Sequence, residues 1–173
     1  TASRKIMHEI TKSMLSLIPR RSVIDETRCF LIEANEDDGS ITVTANNMES
    51  AMQWRFAASI EAGGRFVMDA RMLADILAHL EGEAVEFAAI ARTVDITGGT
   101  CTYTMNTLAC DGFPRTEIPF PGSTMKVSGI RTLYSKTCNA VDTDTASVLS
   151  GIHLEIAPGS IKATGCDKKC IAI

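Results

Sequence analysis

Gly39-Ser40-Ile41-Thr42-Val43-Thr44 and Gly159-Ser160-Ile161-Lys162-Ala163-Thr164 share the pattern Gly-Ser-Ile-x-x-Thr at an offset of 120 residues. A glycine-bearing turn followed by alternating apolar and polar side chains opens a half-buried strand. Upstream, Phe30-Leu31-Ile32-Glu33-Ala34 aligns with Ile152-His153-Leu154-Glu155-Ile156 once the second turn is taken as two residues shorter. Farther back, Ile10 falls opposite Ile130 and Met14 opposite Tyr134, on the sides of two helices that periodicity marks as buried. A repeat of this kind means that one supersecondary unit has been used more than once.

Working outward, Arg4 to Ile18 reads as an amphipathic helix. Met7, Ile10, Met14, Leu17 and Ile18 fall on one face, Lys5, His8 and Lys12 on another, and Pro19 stops it. Arg20-Arg21-Ser22 is then an exposed basic loop. Strands are expected at Cys29 to Ala34, Ile41 to Ala45 and Met52 to Ile60. The same order starts again with a short strand at Arg65 to Met68. A helix capped by Asp69 follows through Leu80, then strands at 84–90, 93–97 and 101–108. The glycine pairs Gly63-Gly64 and Gly98-Gly99 are expected to supply positive φ in turns. A third helix is expected from about Ser123 to Cys138. Strands follow at 151–156 and 161–164, with another beginning at Ile171. Each unit is therefore strand, helix and three strands, with two units per domain. Residues 1–119 make a first domain, and residues 120–173 reach only the midpoint of a second, so the chain reads as part of a longer one.

Composition narrows the classes. The 173 residues carry 17 Lys+Arg against 21 Asp+Glu, a net charge of −4, so bulk charge cannot hold a phosphate backbone tightly. No apolar run is long enough to span a bilayer, and Thr1-Ala2-Ser3-Arg4-Lys5 lacks the apolar core of a secretion signal; a cytoplasmic location is expected. The six cysteines read as reduced, small apolar residues rather than a disulfide frame.

Gly64-Arg-Phe-Val-Met-Asp-Ala-Arg-Met-Leu-Ala-Asp-Ile-Leu77, continuing through Leu80-Glu-Gly-Glu-Ala-Val85, resembles the second helix of the bacterial DNA polymerase III beta subunit, the DNA sliding clamp, with its leading strand and following acidic turn. Leu108-Ala-Cys-Asp-Gly-Phe-Pro114 is similar to the segment that closes that family's first domain, and Leu149-Ser-Gly-Ile-His-Leu-Glu155 resembles a strand of its second. The resemblance implies an α+β DNA-clamp fold: repeated β-α-β-β-β units with helices on one face of antiparallel sheets. It also implies three domains per subunit and a head-to-tail homodimeric ring around double-stranded DNA. The partners would be the replicative DNA polymerase and its clamp loader, with no cofactor, metal or catalytic residue.

Topological enclosure retains a protein on DNA with weak contacts, which suits a modest number of inward cations on an acidic molecule. The candidates are Lys5, Lys12, Arg20, Arg21 and Arg131, of which Arg21 matches a DNA-contacting arginine of the family. Ser147 and Val148 stand where the family can carry two DNA-contacting tyrosines. The family's partner-peptide pocket takes part of its wall from a Thr-Asp-Gly-His-Arg-Leu-type segment. Its counterpart here is Cys166-Asp167-Lys168-Lys169-Cys170-Ile171, with Asp167 kept and Ile171 an apolar substitute, which makes Cys166, Lys168, Lys169, Cys170 and Ile171 the candidate peptide contacts.

Other readings compete on the residues alone. Cys166-x-x-x-Cys170 beside two lysines is compatible with a thiol-dependent enzyme. Zinc needs four ligands, and no second Cys/His pair lies nearby. His8, His79 and His153 are scattered, without a Gly-x-Ser-x-Gly elbow, and His8 reads equally as a phosphate contact or an exposed surface residue. A protein-interaction domain using exposed strand edges, never meeting DNA, is the remaining alternative.

Overall fold

In the computed structural model, the described residues are 1–114, 127–144 and 146–173. They fall into two compact units, Thr1–Ile118 and Pro119–Ile173.

The first unit contains β1 (Ala2–Ser3), α1 (Arg4–Met14), β2 (Cys29–Asn35), β3 (Ser40–Asn46), β4 (Ala51–Ala57), β5 (Gly64–Asp69), α2 (Ala70–His79), β6 (Ala84–Ile90), β7 (Thr93–Gly98) and β8 (Cys101–Asn106). Two antiparallel sheets result, in the orders β4-β3-β2-β5 and β1-β6-β7-β8. Alternation along the strands turns Phe30, Ile32, Ile41, Val43, Met68, Val94 and Ile96 inward. There they meet Met7, Ile10 and Met14 of α1 and Leu73 and Leu77 of α2 in one buried cluster. The helices pack on each other and cover the inner faces of both sheets. On the opposite face of the first sheet, Cys29, Leu31 and Val67 are covered by Phe113. The strap carrying Phe113 is pinned where Leu108 N–H donates to the Val67 carbonyl at 2.9 Å and Asn46 Nδ2 donates to the Pro114 carbonyl at 2.9 Å.

Several element ends differ from the sequence expectation, for local reasons. α1 stops at Met14 rather than Ile18. Residues 15–18 continue as a tighter turn, with Leu17 N–H on the Met14 carbonyl and Ile18 N–H on the Leu15 carbonyl. Pro19 disfavours helical geometry at Ile18, and the Ser13 and Ser16 hydroxyls compete for the Ile10 and Ser13 carbonyls. Asp69 does cap α2, its Oδ1 accepting from Met72 N–H at 2.8 Å. β4 ends at Ala57, short of Ile60. β1 is an element the sequence reading missed, because two residues are too few to show a period. Of the two glycine pairs, only Gly99 has positive φ, at 59°. Gly64 lies in β5, and a Cβ on Gly98 would come within 3.0 Å of the Glu81 carbonyl oxygen, so close approach explains that glycine.

The second unit holds α3 (Ile130–Thr137), β9 (His153–Ala157), β10 (Ser160–Cys166) and β11 (Ile171–Ala172), with strand order β11-β10-β9. α3 begins at Ile130, after Gly129 in the left-handed region at φ 77°, not at Ser123; residues 123–126 lie outside the described residues. The helix packs so tightly on β10 that a Cβ on Gly165 would sit 2.3 Å from the Thr137 carbonyl oxygen. The 120-residue offset holds in three dimensions, since β3 and β10 have identical bounds once it is applied. Burial does not follow it. Ile10 is 7% and Met14 0% exposed, but their counterparts Ile130 and Tyr134 are 48% and 61% exposed. α1 lies against a second helix, whereas the main contacts of α3 are with β10, β11 and the 138–140 turn.

Leu77 is fully buried where α2 meets both sheets. Leu77→Ala should therefore lower the unfolding free energy of the first unit by about 3 kcal/mol. Urea titration followed by the fluorescence of Trp54, the single tryptophan, checks this.

Candidate nucleic-acid interface

A helix that buries one stripe against sheets presents its polar stripe to solvent. On α1 the buried stripe is Met7, Ile10, Thr11 and Met14, so Lys5 and Lys12 emerge on the exposed side. Seven residues is close to two turns, which places the two lysines one above the other, about 10 Å apart along the axis. Arg20 and Arg21 are both exposed just beyond Pro19. The first unit thus brings Lys5, Lys12, Arg20 and Arg21 onto one helix and the loop that follows it. Arg131 is exposed on α3, in the other unit.

Ion pairing separates these cations from Arg28, Arg55, Arg65 and Lys162. Arg28 lies 3.9 Å from both Asp25 and Asp69, Arg65 lies 3.6 Å from Asp111, and Arg55 pairs with Asp38. Lys5, Lys12, Arg20 and Arg21 form no ion pair among the described residues. Two arginines that sequence reasoning missed do structural work. Arg4 donates through Nε to the Gly82 carbonyl at 2.6 Å and through a terminal nitrogen to the Leu77 carbonyl at 3.2 Å. Arg71 donates to the Ile18 carbonyl at 2.8 Å, joining the start of α2 to the turn after α1. No linear motif signals either bond, because each depends on the two helices being neighbours. His8 is half-buried rather than exposed, and its Nδ1 is buried without a hydrogen-bond partner among the described residues.

The 166–171 segment is the turn joining β10 to β11, with Cys166 opposite Ile171. Asp167 Oδ1 accepts from the N–H groups of Lys169 at 2.9 Å and Cys170 at 2.6 Å, and Lys168 has φ 73°. The turn between β3 and β4 is built the same way 120 residues earlier. Asn47 Oδ1 accepts from Glu49 N–H at 3.1 Å and Ser50 N–H at 2.7 Å, and Met48 has φ 76°. The bonds from Lys169 and Cys170, in that order, hold the Asp167 carboxyl below its usual range. Lys168, Lys169, Cys170 and Ile171 are exposed and Cys166 half-buried.

This turn also separates its thiols. In an antiparallel ladder, partners such as Cys166 and Ile171 share a face, and the next residue along points to the other. Cys166 ends β10, and Cys170 lies in the turn just before β11. All six cysteines are free. Cys29 is buried, Cys101 and Cys170 are exposed, and the rest are half-buried. Burial, followed by the nearby Asp69 charge, pushes the Cys29 thiol up to about 12. Among the described residues, no group of three or more His, Cys, Asp or Glu could hold a metal ion, and no helix is long and apolar enough to cross a membrane.

Known proteins resemble the chain over most of its length. Residues 1–117 match the family model for the DNA polymerase III beta subunit, N-terminal domain. The chain is 25% identical over 155 residues to the beta sliding clamp of Synechococcus elongatus, covering 83% of this chain and 39% of that protein. Against the beta sliding clamp of Streptomyces coelicolor it is 24% identical over 174 residues, covering 98% and 45%. The DNA polymerase III subunit beta of Pseudomonas aeruginosa superposes with a TM-score of 0.85 at 20% identity, over 96% of this chain and 46% of that one. The Streptococcus pyogenes beta subunit gives 0.84 at 18%, over 95% and 46%. The chain thus spans less than half the length of these relatives.

Two measurements test the turn and the thiols. Asp167→Asn should preserve slow amide exchange at Lys169 and Cys170, because Asn47 makes the same bonds, whereas Asp167→Ala should speed it severalfold. Because the folded-state carboxyl is lowered, its contribution is present at neutral pH and is lost only as pH falls through that lowered value; the Asp167 carboxyl-carbon shift should titrate below the usual aspartate range. Under iodoacetamide at pH 8, Cys101 and Cys170 should alkylate first and Cys29 last, as read by peptide mass spectrometry.

Proposed function

The chain belongs to the DNA polymerase III beta subunit family, and from that membership we propose that it contributes the first domain and the front half of the second to a sliding clamp. In this reading, residues 1–119 are the first clamp domain and 120–173 the start of the next. The clamp encircles double-stranded DNA in the bacterial cytoplasm as a head-to-tail dimer and tethers the replicative polymerase. Its partners are that polymerase and the clamp loader. The family is a non-catalytic accessory subunit, and no residue is assigned a bond-making role.

The observation that carries the reading is the set of cations on α1 and its following loop that have no carboxylate partner, in a net acidic molecule. Lys5 adds to it. It stands in the first turn of α1, which contains no acidic residue, at the helix end whose dipole disfavours a cation. A residue placed against its local electrostatics without an ion-pair partner is explained by something outside the chain, and a phosphate supplies the needed charge. Exposed lysines and arginines at this spacing touch phosphates loosely and read no bases, which suits a protein that must slide. Arg131 extends the same role to the second unit. The 166–171 turn, with Lys168, Lys169 and Ile171 exposed beside Cys166 and Cys170, is proposed as part of the wall that partner peptides contact.

Replacing Lys5, Lys12 and Arg21 together with alanine should weaken association with a fluorescent duplex at low salt. The salt slope of log K should flatten by about 2.7 if all three contact phosphates. The circular dichroism spectrum should stay unchanged, since none of the three is buried. Unaltered DNA affinity and slope in the triple variant would remove α1 from the interface.

A further inference from the structure

We propose that Val23, in the basic loop after α1, is an apolar contact with duplex DNA that packs on deoxyribose rings between the phosphates. The inference rests on the sliding-clamp reading of α1 and adds to it a residue that carries no charge.

Packing within the chain does not call for this side chain. Val23 is fully exposed, and Ile24 beside it is exposed as well. The loop that carries them is nevertheless fixed at both ends. Arg71 donates to the Ile18 carbonyl at 2.8 Å where the loop begins, and Pro19 restricts the backbone next to it. Farther on, Ser22 Oγ accepts from Ile24 N–H at 3.1 Å and from the hydroxyl of buried Thr27 at 2.8 Å. Val23 therefore stands between two hydrogen-bonded residues, so a partner that covers it has little backbone left to order.

Charge names the partner. Arg20 and Arg21, just before the apolar pair, are exposed and form no ion pair among the described residues. The carboxylates that follow have neighbours of their own. Asp25 lies 3.9 Å from Arg28, and Glu26 is half-buried beside Gly112. An apolar side chain next to two unpaired guanidinium groups fits a surface on which anions and C–H groups alternate, and the sugar–phosphate wall of a duplex is such a surface. The loop also continues the series Lys5 and Lys12 on α1, which points to the same partner. Deoxyribose recurs at every nucleotide whatever the base, so contact with it adds affinity without creating a preferred stop. An apolar wedge between base steps would instead unstack them and hold the protein in place.

Anisotropy of a fluorescent duplex, titrated over a range of salt, separates this contact from the charged ones. Val23→Ser should weaken binding roughly fivefold at every salt concentration, with the slope of log K unchanged, because an apolar contact releases no counterions. The loss should be equal on A·T and G·C duplexes, and Val23→Leu should keep the parent affinity. Unfolding midpoints of both variants should match the parent, since the side chain is not buried. With p-benzoylphenylalanine in place of Val23, irradiation should crosslink the loop to deoxyribose carbons. Parent affinity in Val23→Ser, a changed slope, a loss that differs between the two duplexes, or crosslinks confined to bases would each overturn the proposal. The Lys5, Lys12 and Arg21 triple variant keeps the two readings apart. A flattened slope there with parent affinity in Val23→Ser removes the apolar contact alone, whereas an unaltered slope in the triple variant removes the DNA-facing role of α1 itself.

Discussion

The first unit depends on two helices covering two sheets at once. Neither sheet can bury its inner face alone, because the strands alternate and leave a row of large apolar side chains on one side. α1 and α2 close both rows by lying against each other, with Met7, Met14, Leu73 and Leu77 fully buried at the common centre. That arrangement forces the distribution of charge. Once the buried stripe of α1 is committed to the core, Lys5 and Lys12 have no direction left but outward. Arg4 and Arg71 are drawn into fixing the helix ends to neighbouring carbonyls. Cationic side chains thus serve cohesion at the helix ends and stay available along the outward stripe.

Much of this was legible in the sequence, and the illegible parts share a cause. Helix and strand identity followed from period, and the Asp69 cap followed from residue type, because each is decided within a few residues. The Gly-Ser-Ile repeat predicted matching hairpins, and β3 and β10 coincide at its offset. What failed depended on partners distant in sequence. β1 exists only because Ala2 and Ser3 meet Val85 and Ala84. The buried sides assigned to Ile130 and Tyr134 assumed a second helix like α2 against them. The candidate cations were legible as a pattern on a helix. Their distinction from Arg28, Arg55 and Arg65 was not, because it rests on carboxylates that pairing brings near or leaves away.

The two turns at 46–51 and 166–171 show how a repeat can persist after its letters have changed. Asn47 and Asp167 offer the same acceptor at the same offset, and each closes its turn through paired N–H groups. Met48 and Lys168 both accept a left-handed backbone that costs a non-glycine residue something on the order of 1 kcal/mol. The cost is tolerated because the side-chain acceptor and the flanking ladder fix the turn geometry together. Most of the identity at 166–171 is consequently free to vary without loss of the hairpin. Lys168, Lys169 and Ile171 are exposed on that fixed frame, where substitution leaves the fold the same.

Small residues mark the places where this architecture leaves room rather than strength. Gly165 lets α3 press against β10, an approach any Cβ would block, so there the missing side chain serves packing. Gly64 does the opposite. Its missing side chain meets no neighbour, and with Ala34 it leaves the inner row unfinished at the start of β5. A side chain added at Gly64 would enter open space rather than a neighbour, whereas at Gly165 packing forbids any side chain at all.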